Sequence, residues 1–168
     1  DRSAGGVRLP SAIFSLLAIL VVLAMPRVGI DRRAAFIAAT VLALSARQIH
    51  WAQEVREYSL SVLVAALMMY GLFAFLDSEG RKRTALYASL FAAPLIQYGL
   101  VLFGFAVIGT LGLAGLLRRR PFIGDVVRSG IAMGTSGIIS FILTLRYQWG
   151  QHANDYLHEY YFHGSLSD

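Results

Sequence analysis

The sequence predicts an all-α polytopic membrane protein, with about six transmembrane helices and one short interfacial helix. Three observations lead there. Of the 168 residues, 57% are hydrophobic and only 15% charged, against about 25% charged in soluble domains, and the mean hydropathy is +0.60. Uncharged runs that approach or exceed the length needed for a ~30 Å hydrocarbon core recur along the chain. The Lys and Arg residues fall between those runs, as membrane topology signals do, and not together on one soluble face. The net charge of +5 therefore argues for a lipid bilayer as partner and against nucleic acid. Cysteine is absent, which excludes disulfides, Fe–S clusters and thiol catalysis.

The elements follow in order. Residues 1–8 are a polar lead-in with no initiator Met and no cleavable-signal pattern, so the chain reads as part of a longer protein. Residues 9–25 form an uncharged run of 17, ~26 Å as a helix. Pro26 and Gly29 close it, and Arg27, Asp31, Arg32 and Arg33 make a charged turn. Residues 34–46 are apolar for only 13 positions; a span at 34–49 requires the helix to continue through Gln48 and Ile49 while Arg47 reaches back to the surface. Residues 58–76 are 19 positions without a charge, a full span, and the loop at 77–83 is dense in charge and broken by Gly80. Residues 84–117 are 34 positions without a charge, ~51 Å as one helix and too long for a single crossing. Pro94 and the polar Gln97-Tyr98-Gly99 near the middle divide this run into spans at 84–97 and 99–117. After Arg118-Arg119-Arg120-Pro121 comes a short amphipathic connector at 122–128. A last span at 129–145 contains Gly130 and Gly134 at a spacing that allows close helix approach. Residues 146–168 read as the start of an extracytoplasmic loop.

Six crossings give each loop a side. Arg27, Arg32, Arg33, Arg81, Lys82, Arg83, Arg118, Arg119, Arg120 and Arg128 share one side, ten of the 15 Lys and Arg residues. That side is expected to be cytoplasmic. Both Trp (Trp51, Trp149) and all four His (His50, His152, His158, His163) fall on the other. Chemistry is thus expected outside the cytoplasm.

The stretch richest in reactive groups lies on that outer side, between the second and third spans: RQIHWAQEVREYSL, residues 47–60. On a helix His50, Glu54 and Tyr58 repeat every four residues and share a face with Trp51, while Gln53, Arg56 and Glu57 line the adjoining one. The fork of donors on Arg56 suits a phosphate or a carboxylate. The residues alone leave two readings open: a solvated interfacial connector anchored by Trp51 and Tyr58, or a phosphate or sugar site. No cofactor is fixed by the residues. A divalent metal stays open at His50 with Glu54, or at His152 with Asp155 and Glu159, which have helical ligand spacing but no strict signature.

HWAQEVREYSL, set between an Ala-rich span and a long apolar one, resembles the family-39-like glycosyltransferases. These are multi-spanning GT-C enzymes dependent on polyprenyl-phosphate sugars, and they include protein O-mannosyltransferases and lipid A aminoarabinose transferases. Many bacterial members read like "ysqeaRmYsl" here; Gln53, Glu54, Arg56, Tyr58 and Ser59 match. VRLPSAIFSLLAIL, from Val7, is similar to the family's entry into its second span. PLIQYGLVLFG, from Pro94, is similar to its "l.thyfgllll" turn, with Tyr98 matching and Gln97 where His is frequent. The resemblance implies transfer of a sugar from a polyprenyl-phosphate carrier to a hydroxyl on protein, lipid or glycan, at the outer face of a bacterial inner membrane. It implies substrate-binding roles for Gln53, Glu54, Arg56, Tyr58, Gln97 and Tyr98. Arg56 would stabilise the departing lipid phosphate. The family's general base is a carboxylate expected upstream of residue 1; Asp1 does not match its motif, so no catalytic residue is assigned and the chain by itself is expected to be inactive. A different class, a transporter or lipid-carrier flippase piece, predicts ionisable residues lining a path inside the spans, and the six expected spans hold no charged residue except Arg47, which reaches back to the surface.

Overall fold

The computed structural model describes residues 4–53, 58–118 and 122–148, with side chains for all of these except 4–7, 51, 53 and 145–148. Every regular element among them is helical. α1 covers Ala4–Leu23 and leads into a short 3-10 turn, Met25–Val28; α2 covers Arg32–Leu44 and α3 Ala46–Gln53. α4 covers Tyr58–Asp77, α5 Thr84–Ile96, α6 Gly99–Leu117 and α7 Ile123–Gln148.

The helix boundaries have local causes. Gly29 ends the 3-10 turn in the left-handed region at φ 85°, where a residue without Cβ carries no penalty. Asp31 then starts α2: its Oδ2 accepts from the N–H groups of Arg33 and Ala34 at 2.9 and 3.1 Å, which satisfies two of the orphan amides of the first turn. α4 stops where Gly80 turns back at φ 88° and its N–H donates to the Phe75 carbonyl at 2.8 Å. Across the bundle, Arg118 Nη1 donates to the Leu76 carbonyl at 3.0 Å, a cation on the last turn of α4.

Contacts fix the directions. Gly71 of α4 lies against Leu86 of α5, and Leu90 of α5 lies against Gly104 of α6, so each consecutive pair is antiparallel. Tyr87 near the start of α5 meets Asp125 at the start of α7, and Tyr98 just after α5 meets Thr144 near the end of α7. α5 and α7 therefore run parallel, side by side. Ser15 of α1 bonds Ser59 near the start of α4, while Met25 and Val28 pack with Ala74 near its end; α1 and α4 also run parallel. α1, α4 and α6 point one way, and α2, α5 and α7 return.

One core joins α4, α5, α6 and α7 through Met68, Leu72, Phe75, Leu86, Leu90, Leu111 and Met133, with Phe122 edge-on to Phe75 at 5.3 Å. A smaller one joins the 3-10 turn and α2 to α4 through Met25, Val28, Ala35 and Ala74. Large apolar side chains also cover the outside, among them Leu102 at 75% exposure, Leu116, Ile131 and Phe141. An apolar exterior on this scale suits hydrocarbon and not water. Tyr58–Asp77, Gly99–Leu117 and Ile123–Thr144 are each long and apolar enough to cross a membrane, and Arg8–Leu23 and Thr84–Ile96 are apolar but shorter.

Three sequence expectations change in detail. The helix does not continue from 34 to 49: it breaks at Ser45, whose backbone is extended at φ −63°, ψ 118°. The connector at 122–128 and the span at 129–145 form one helix, α7. Gly130 and Gly134 face open space; the close helix contacts are made at Gly71 and Gly104 instead.

Candidate functional site

The two ends of the bundle differ in chemistry. One end gathers the 3-10 turn, the 77–83 loop and the start of α7, with Arg27, Arg32, Arg33, Arg81, Lys82, Arg83, Arg118 and Arg128. The other end carries α3, the start of α4 and the turn between α5 and α6, and with them Gln53, Tyr58, Gln97 and Tyr98 of the sequence-predicted site residues.

Ser45 builds that second end. Its N–H donates to the Leu42 carbonyl at 3.3 Å and closes α2, while its own carbonyl accepts from the Ile49 N–H at 3.0 Å and opens α3. Serine readily leaves the helical conformation because its hydroxyl competes for backbone groups. The break lets α3 turn away from α2 and pack on α1 and α4 as well. Within α3, Arg47, Ile49 and His50 are exposed and Gln48 is buried, only 4% exposed. Gln48 Nε2 has no hydrogen-bond partner among the described residues. The sequence reading had the helix simply continue through Gln48; nothing in the local pattern marks it as the inward residue, because that depends on where Ser45 breaks the helix.

Gln53 is the last residue of α3, and Tyr58, half-buried, is the first of α4. Glu54 and Arg56, with Val55 and Glu57, lie outside the described residues. Next to Tyr58, Ser59 is fully buried and takes a 3.3 Å hydrogen bond from Ser15, which ties α1 to α4 at this junction. In the α5–α6 turn Gln97 is extended at φ −157° and half-buried; its carbonyl accepts from the Leu100 N–H at 3.1 Å. Tyr98 is 59% exposed. Its hydroxyl lies 2.9 Å from Thr144 Oγ1, which itself donates to the Ser140 carbonyl at 2.8 Å; with that proton engaged, Tyr98 is the donor. Tyr58, Gln97 and Tyr98 thus share one end of the bundle. α3 is held against α1, α2 and α4, and Tyr98 against α7.

His50 is exposed on α3, and its sequence-level metal partner Glu54 falls outside the described residues, as do His152, Asp155 and Glu159. No group of three His, Cys, Asp or Glu side chains occurs among the described residues.

The opposite end holds a buried carboxylate that the sequence did not single out. Asp125, 7% exposed, accepts from Tyr87 Oη at 2.7 Å and pairs with Arg83 Nε at 3.3 Å and Arg128 Nη1 at 3.7 Å. These contacts fasten α5 to α7 at the basic end of the bundle. Arg128 could be anticipated from its i, i+3 spacing; Tyr87, 38 residues away, could not.

An all-helical bundle with a lipid-compatible exterior and charge gathered at one end is an integral membrane protein. The family model for dolichyl-phosphate-mannose-protein mannosyltransferases matches residues 1–143. The chain belongs to that family, and is a membrane glycosyltransferase of the GT-C type. No curated protein and no solved structure matches it.

Proposed function

We propose that this protein moves a sugar from a polyprenyl-phosphate carrier to a hydroxyl acceptor at the extracytoplasmic face of a bacterial inner membrane. One observation carries the reading: the end of α3, the start of α4 and the Gln97–Tyr98 turn lie at the end of the bundle away from the basic loops. With the basic end in the cytoplasm, this end opens outward. Family membership supports the donor class, since the family is described by a lipid-phosphate-linked mannose.

A lipid phosphate is already a good leaving group, so the transfer needs its developing charge stabilised more than it needs protonation. Arg56 fills that role in this reading. Glu54 orients the Arg56 guanidinium or binds sugar hydroxyls; Gln53, Tyr58, Gln97 and Tyr98 line the sugar. Replacement of Arg56 by Ala in the full-length enzyme should lower transfer by at least ~100-fold, the scale of losing a charge-stabilising donor, with membrane insertion unchanged. Arg56→Lys should recover little, because an ammonium lacks the planar fork. Transfer assays on membranes expressing equal amounts of each variant measure this; wild-type rates in Arg56→Ala would remove Arg56 from the site.

A further inference from the structure

We infer that the basic end of the bundle carries a binding site for an anionic phospholipid, formed by Arg27 and Arg32 together with an apolar groove between α1, α2 and α4. Two cavities whose linings share Ala35 make it. The first, of about 420 Å³, is lined by Leu23, Pro26, Arg27, Arg32, Ala35 and Phe36. The second, of about 480 Å³, is almost wholly apolar and shares Ala35 with the first. Its walls are low because four of its lining residues, Ala34, Ala38, Ala65 and Ala66, carry only a methyl group.

The chemistry of the two parts matches the two parts of one lipid. Arg27 and Arg32 bring two guanidinium groups to one cavity, and neither is in an ion pair or hydrogen bond with another described residue. The nearest carboxylate in sequence, Asp31, is engaged by the first amides of α2. A phosphodiester is the anion such a pair accepts best, through paired N–H donors. The groove follows α4 from Phe73 to Val62, ~16 Å along the helix axis. That is about half of a ~30 Å hydrocarbon core, the depth of one leaflet, and it suits an acyl chain. A free phosphate would use the arginines and leave the groove empty; a neutral lipid would use the groove and leave the arginines unpaired. Basic pockets between transmembrane helices at the headgroup level are a known physical basis for anionic-lipid recognition. The inference needs only that the bundle sits in a bilayer, so it stands or falls separately from the sugar-transfer reading.

The test is lipid binding to the purified full-length protein in detergent, read as thermal stabilisation during titration with phosphatidylglycerol, phosphatidylcholine or inorganic phosphate. Phosphatidylglycerol should stabilise and the other two should not. The double variant Arg27→Gln/Arg32→Gln should bind phosphatidylglycerol roughly thirtyfold more weakly, from about 1 kcal/mol per basic residue. Arg81→Gln/Lys82→Gln, which removes two charges from the same end outside the cavity, should bind as wild type. Ala38→Phe keeps both arginines but obstructs the groove, and it should also weaken phosphatidylglycerol binding several-fold. Equal stabilisation by phosphatidylglycerol and phosphatidylcholine, equal loss in the two charge variants, stabilisation by inorganic phosphate alone, or unchanged binding in Ala38→Phe would each overturn the proposal.

Discussion

At Gly71 a single methyl group decides whether two helices can meet. A Cβ there would lie 2.6 Å from the Leu86 amide nitrogen and 2.7 Å from its Cα. Those are backbone atoms of α5, so the helix as a whole must retreat. Gly104 is as crowded on paper, but its Cβ would meet the Met133 sulfur at 2.5 Å, the far part of a flexible side chain that can swing away. Gly71→Ala should therefore cost about 1–3 kcal/mol, the range for overpacked cores, and Gly104→Ala clearly less. Melting of both variants in the same detergent checks the order, and an unchanged midpoint for Gly71→Ala would mean that α5 has room to move. In the sequence the two glycines look no different from Gly130 and Gly134, which face open space. Spacing reports which residues share a helix face, but not which face meets a neighbour.

Among the elements, α2 depends most visibly on its ends. It has 13 residues, ~20 Å of helix, and it buries Ala35 and Ala39 but little else. Its start rests on the two hydrogen bonds accepted by Asp31. Asp31→Ala should destabilise the protein by about 1 kcal/mol, whereas Asp31→Asn, which keeps an acceptor oxygen, should lose much less. Thermal melts distinguish them, and equal losses would assign the effect to charge and not to capping. The far end of α2 was legible only in part. Polar Arg47 and Gln48 announce a change of environment, but a continued helix and a break at Ser45 place the same residues on different sides. Burial of Gln48 follows from the break. The split at Gln97 was legible, because an uninterrupted helix would have been far longer than any bilayer.

For the whole molecule, the alternating direction of α1, α2, α4, α5, α6 and α7 gathers the basic loops at one end. The proposed orientation makes a direct prediction, and these 168 residues hold no cysteine of their own to compete with an introduced one. A cysteine placed at Tyr98 should react with a membrane-impermeant thiol reagent added from outside the cell, and one at Arg81 only after the membrane is opened. The reverse pattern would turn the α3–α4 junction toward the cytoplasm and remove the proposed access to an outward-facing donor.

Composition and the spacing of charges determined by themselves that the chain is a helical membrane protein with a basic end and a polar one. Both follow from transfer free energies that act residue by residue along the chain: apolar runs partition into hydrocarbon and arginines stay at its edge. The segment bearing Gln53 and Tyr58 was placed at one end for the same reason. Only the tertiary structure decided that α5 and α7 lie parallel, that Asp125 is buried against Tyr87, and that Arg27 and Arg32 line one cavity. In a bilayer every helix already has an apolar surface, so hydrophobicity cannot choose which helices pair; close packing and a few polar contacts between residues far apart in sequence make that choice.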